Sequence, residues 1–150
     1  MGTASYAGCH HDVEAPIDVD NNGVLFLNSS VRNRDIRDGA SNTIFVGEYL
    51  GFPDSLGWAS GTRATLRNAG SGISGGPPRP TGPPAPANAA PIAAGNDALL
   101  LQVGGFGSQH AGGAHFAIGD GSVRFITQSI NPTTFKNLAN RADGELPDDY

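Results

Sequence analysis

Residues 106–127 read FGSQHAGGAHFAIGDGSVRFIT, and a turn signal and a histidine pair share these few positions. Asp120-Gly121 lies between two apolar-rich runs, the setting in which an Asp-Gly pair predicts a two-residue hairpin loop with positive φ at both positions. That register sets Ile118 opposite Val123 and Phe116 opposite Phe125, so four apolar side chains share an interior face. His115, Ala117, Arg124 and Ile126 then take the other face. His110 precedes Ala111-Gly112-Gly113, a stretch flexible enough to carry its ring toward His115.

Beyond the hairpin, Asn131-Pro132 reads as N-cap and first helical residue. Phe135, Leu138 and Ala139 form an apolar stripe, and Gly144 is the expected stop of a helix of about three turns. Before the hairpin, Ala98–Val103 has β character. Seven of the eleven prolines fall between Pro77 and Pro91, so residues 68–97 are expected to form a flexible Pro/Gly/Ala-rich loop. Upstream, strands are expected at Val24–Leu27, at Thr43–Tyr49 and at 57–66, the last anchored by Trp58. Arg63 and Arg67 read as solvated, and Glu48 either carries chemistry or, the more usual case, is a strand-end acid bonded to nearby backbone N–H groups.

With 150 residues, 22 of them Gly and 11 Pro, the chain fits one β-rich domain spanning 1–150 rather than a helical bundle. The expected fold class is mainly β (α+β): a small antiparallel sheet with a C-terminal hairpin and one short C-terminal helix. Nine basic residues against fourteen acidic ones, a net charge of −5, argue against a nucleic-acid partner. No run is apolar enough for a membrane span, and the first residues, MGTASYAG, carry no targeting signal. The abrupt start suggests that an upstream part has been removed. The single Cys9 excludes an internal disulfide and any multi-cysteine zinc module. An exposed edge strand would favour a homo-oligomer.

All four histidines fall into two clusters, His10-His11 and His110/His115. Zinc bound by three protein ligands keeps a position open for water, whose pKa falls to near 7 on coordination. His10 or His11 with His110 and His115 would meet that count. In an extended SYAGCHHDVE (5–14), alternation puts His10, Asp12 and Glu14 on one face, making Asp12 or Glu14 the candidate general base. A second, weaker metal candidate is calcium at Asp18, Asp20 and Asn22. These match the first half of a calcium loop before Gly23, but Ser29 stands where the closing Glu belongs. Asp120 lies about 15 Å along the strand from His115 and reads as a turn residue.

His110, nine residues, then Asp120-Gly121 is an H-X9-DG signature, and GASNTIFVGE at 39–48 resembles the DGTSNTILVGE segment of the same family. SYAGCHHD and NNGVLFLNS are similar to that family's central portion. The family is the pilin-like domain of unknown function 1559, abundant in planctomycetes. Its members typically begin with a prepilin cleavage signal and a long hydrophobic helix, which this sequence lacks. The resemblance implies a pilin-like, β-rich globular half of a protein exported to the cell surface or secreted, and it supplies no reaction.

Two functional readings follow. One is an exported, structural pilin-like domain that binds metal at most for stability. The other is a small zinc-dependent hydrolase of activated esters or phosphoesters, phosphotriesters included.

Overall fold

The computed structural model describes residues 4–50, 65–75 and 103–147. The expected anchor Trp58, Arg63, most of the expected 57–66 strand, the proline-rich stretch and residues 98–102 lie outside them. Among the described residues, six strands form one sheet: β1 (Tyr6–His11), β2 (Ile44–Glu48), β3 (Leu66–Gly75), β4 (Gly105–Ser108), β5 (Gly113–Ile118) and β6 (Val123–Thr127). One helix, α1 (Pro132–Ala139), follows. The fold is mainly β with a C-terminal helix, as the sequence implies.

The sheet order is β4-β3-β1-β2-β5-β6. β1–β2, β2–β5 and β5–β6 pair antiparallel, whereas β1–β3 and β3–β4 run parallel. The sheet is therefore mixed rather than antiparallel. Among the described residues no helix is long and apolar enough to cross a membrane.

The hairpin departs from the expected register by one residue. Phe116 pairs with Arg124 and His115 with Phe125. The loop is longer than Asp-Gly: the Ile118 amide donates to Ser122 O at 2.9 Å and the Gly121 amide to Ile118 O at 3.0 Å. Only Gly121 has positive φ, +87°, as in a three-residue loop that closes a type I turn with a left-handed glycine. Asp120 is a turn residue as expected, its carboxylate accepting from the Ser122 amide. A one-residue slip sends every β6 side chain to the opposite face. Ile126 is therefore 2% exposed, while Val123 and Phe125 are exposed.

The core lies on the face covered by α1, where Cys9, Ile44, Ala69, Ile73, Phe106, Ala114, Phe116, Ile118 and Ile126 meet Phe135, Leu138 and Ala139. Phe106, Phe116 and Phe135 form a triangle of edge-to-face rings with centroids 5.2, 5.6 and 6.4 Å apart. Gly47 lies beneath it: a Cβ there would come within 2.5 Å of the Phe116 ring. The Cys9 thiol is enclosed in this core, and burial pushes its pKa up to about 12.

α1 starts as the sequence implies, with Asn131 Oδ1 accepting from the Thr133 amide and Pro132 at the first turn. It ends at Ala139 after eight residues, well before Gly144. The cause is tertiary: Asn140 turns extended and donates to Asp12, and the Arg141 guanidinium bonds the carbonyls of Asn21 and Gly23.

Val24–Leu27 forms bends rather than a strand. The amides of Gly23, Val24 and Leu25 donate to His10 O and Cys9 O, closing this segment over the end of β1. β3 begins the expected flexible stretch as an ordered strand through Gly75. Arg67 on it is 2% exposed rather than solvated, its Nη1 bonded to Leu66 O and Val103 O and its guanidinium 4.6 Å from the Tyr49 ring centre.

Glu14 joins the segment after β1 to the approach to β4, accepting from the amides of Val103 (2.7 Å) and Gly104 and from Ser71. Burial works to raise its pKa, but the Val103, Asn68 and Gly104 hydrogen bonds outweigh that and hold the carboxyl below its ordinary 4.5. A depressed folded-state pKa contributes stability above the unfolded value, and this is lost as pH falls through the folded one. Glu14→Gln should cost about 1 kcal/mol at neutral pH, the scale of one hydrogen bond on a solvent-exposed residue. In urea titrations the gap to the wild type should close as the medium is acidified below the ordinary carboxyl range. An equal gap at both pH values would show that the carboxylate's charge contributes nothing.

Candidate metal centre

On the sheet face away from α1, cross-strand pairing sets four side chains in a row. Tyr6 of β1 pairs with Glu48 of β2, the His115 amide donates to Glu48 Oε2 at 2.8 Å, and His115 of β5 pairs with Phe125 of β6. His110 arrives from the turn between β4 and β5, where its amide donates to Ser108 Oγ. The glycines that follow it let the ring fold back, as the sequence implies, and the two imidazoles meet edge to face with centroids 5.0 Å apart.

The convergence is on Glu48. His110 Nε2 lies 3.4 Å from Glu48 Oε1 and His115 Nδ1 lies 3.4 Å from Oε2. One ligand atom from each of the three residues lies within 4.8 Å of the others. Tetrahedral zinc with ligands at about 2.0–2.1 Å would hold neighbouring donors about 3.3 Å apart, the size of each Glu48–histidine separation.

Side-chain exposure rises from 12% at Glu48 to 40% at His115 and 57% at His110, so the cluster is anchored at its base and open above. Burial works to raise the Glu48 pKa. Hydrogen bonds from the His115 amide and Ser108, with the nearby His110 and His115, outweigh it and keep the carboxyl below its ordinary value. Glu48 thus presents a carboxylate to both histidines.

Tyr6, Phe116, Ala117 and Val123 surround the three residues in an open depression of about 510 Å³, and among the described residues no Lys or Arg lines it. The Phe125 ring braces His115 at 5.1 Å. Tyr6 Oη lies 3.5 Å from Glu48 Oε1.

The expected union of the two histidine clusters does not form. His10 is fully buried, its Nδ1 3.2 Å from Asn21 Oδ1. It stands four residues beyond Tyr6, about 13 Å along an extended strand. His11 pairs instead with Asp12 at 2.7 Å.

Neither general-base candidate reaches the cluster. The carboxylate of Asp12 is held by His11 and Asn140, and that of Glu14 by Val103, Gly104 and Ser71. β1 ends at His11, which breaks the alternation that would have aligned them with His10.

The side chains of two of the three calcium candidates make local hydrogen bonds. Asp18 Oδ1 accepts from the Val19 amide, Asn22 Oδ1 from the Asp12 amide, and Asp20 is exposed. Glu48 is the cluster residue that the sequence marks as able to carry chemistry but more simply as a strand-end acid. It does bond a backbone amide, and the same carboxylate faces both histidines. Its position at the end of the GASNTIFVGE segment was the available signal.

Fold and cluster together define a mixed-sheet domain with a two-histidine, one-carboxylate site on its exposed face. The chain belongs to the family described as protein of unknown function (DUF1559), which matches residues 1–133. That span includes all three cluster residues and the His110 to Asp120-Gly121 signature. No curated protein and no solved structure matches the chain.

Proposed function

We propose that this chain is a pilin-like, exported domain whose Glu48, His110 and His115 hold a zinc-type divalent ion and hydrolyse activated, uncharged esters, phosphotriesters among them. The observation that carries the reading is the open three-ligand cluster. Structural zinc sites are closed by four protein ligands, whereas hydrolytic ones use three and leave a position for water. A bound ion would supply water with a pKa near 7 and polarise the substrate's acyl or phosphoryl oxygen.

The protein's part is to fix the ligands and shape the wall. Glu48 is oriented by the His115 amide, and His115 by Phe125. Tyr6, Val123 and Phe125 present exposed apolar surface beside the cluster. The described wall residues include no Lys or Arg to balance the charge of a phosphate mono- or diester, which points to neutral substrates.

A structural reading is favoured by one observation: the same three residues tie β2, β5 and the turn before β5, so an ion there would also brace the sheet. The two separate in one experiment. Purified protein is analysed for bound zinc, then assayed with 4-nitrophenyl acetate and diethyl 4-nitrophenyl phosphate before and after chelation. About one zinc per chain, with turnover lost on chelation and restored by zinc, is expected. Stoichiometric zinc that raises the melting temperature without turnover would leave only the bracing role, and absence of zinc affinity would end both.

A further inference from the structure

The row of side chains across β1, β2 and β5 places a phenol where neither metal binding nor packing requires one. Tyr6 pairs directly with Glu48, its ring is half exposed, and its hydroxyl stands 3.5 Å from Glu48 Oε1 at the lip of the depression. That oxygen is also the one 3.4 Å from His110 Nε2. The hydroxyl therefore donates a long hydrogen bond to the same carboxylate oxygen that faces His110, within reach of a group held at the cluster. Among the described wall residues, Tyr6 is the remaining side chain with an O–H to donate once Glu48, His110 and His115 serve as ligands.

Resting on the hydrolytic reading above, we infer that Tyr6 is a catalytic residue: its phenol donates a hydrogen bond to the acyl or phosphoryl oxygen of the substrate as negative charge develops there. In the step, the oxygen of water bonds to the acyl carbon or phosphorus. The bond to the leaving-group oxygen breaks, and the leaving group departs with that electron pair. The proton of the water passes to solvent. Tyr6 donates its O–H as a hydrogen bond and transfers no proton in the step. Its value lies in pointing a fixed dipole at an oxygen that carries full charge only in the transition state. Removal of one such donor in other acyl-transfer sites costs about 10²–10³ in kcat.

The competing role for Tyr6 is to orient Glu48, and the two make different predictions. Tyr6→Phe keeps the ring that packs beside Glu48 and removes only the hydroxyl. If the phenol acts on the transition state, the zinc-loaded variant should retain one zinc per chain with unchanged affinity and the same melting temperature. Its kcat for 4-nitrophenyl acetate should fall about 10²-fold with KM within about twofold. Calorimetry should also show weaker binding of diethyl phosphate, whose anionic oxygens resemble the charge the phenol meets.

If Tyr6 only positions Glu48, zinc affinity should drop about 10–100-fold while the fully loaded variant turns over at the wild-type rate, and the inference is overturned. Wild-type turnover with an unaffected Tyr6→Phe variant would overturn it too while leaving the hydrolytic reading intact. A wild-type protein that binds zinc without turnover would remove both.

Discussion

Replacing His115 with alanine should abolish zinc retention and ester turnover together while leaving the sheet folded. The substitution removes one of three ligands, and even changes to residues that merely orient a ligand cost about 10–100-fold in metal affinity or activity. Losing the ligand itself should exceed about 10²-fold. The fold should tolerate it, because the side chain is 40% exposed on the face away from α1 and the amide bond to Glu48 belongs to the backbone. The loss on the metal-free side is the edge contact with Phe125, about 0.5–1.5 kcal/mol.

Thermal unfolding with and without zinc reads both effects at once. At zinc of 100 times the Kd the wild type gains about 2.7 kcal/mol from binding to the folded state, and the variant should gain nothing. His11→Ala is the control that separates this site from the four-histidine arrangement suggested by the sequence, and it should leave the zinc-induced gain intact. A His115→Ala protein that keeps stoichiometric zinc would place the metal somewhere else.

How far the sequence reached can be judged residue by residue. The pairing of His110 with His115 was legible because both the spacing and the intervening glycines are local. The N-cap and apolar stripe of α1 were legible for the same reason. What failed depended on contacts distant in the chain. His10 and His11 adjoin carboxylates in sequence, but the segment at 21–25 folds over His10 and encloses it, which no local pattern reveals. Glu48 looked like a strand-end acid, and its second role follows from β2 pairing with β5, some seventy positions away. The parallel β1–β3 and β3–β4 pairs were invisible because strand order is set by long connections rather than by turn residues. The hairpin register was missed by one residue: Gly119 joins Asp120 and Gly121 in the loop, and a two-residue reading of Asp-Gly does not count it.

That single residue yields the second large effect. Phe116→Ala should destabilise the domain by about 3–5 kcal/mol, the range for deleting a fully buried aromatic ring. Phe116 has no exposed surface, touches both Phe106 and Phe135 edge to face, and rests on Gly47. The void would be lined by rings fixed from β4 and α1, which limits collapse. Against a typical domain stability of about 5–15 kcal/mol the variant should unfold at much lower urea, with an unchanged slope if the transition stays two-state.

Phe125→Ala supplies the comparison. In the two-residue register Phe125 would be the interior partner of Phe116 and its loss would cost as much. In the structure Phe125 is 46% exposed and faces His115, so alanine there should cost no more than about 1.5 kcal/mol, chiefly the ring contact, and should act mainly on how firmly His115 is held. Urea midpoints for the two variants therefore measure the register directly. A large difference places Phe125 beside His115 and the candidate site, and equal losses would return it to the core and take the wall of that site with it.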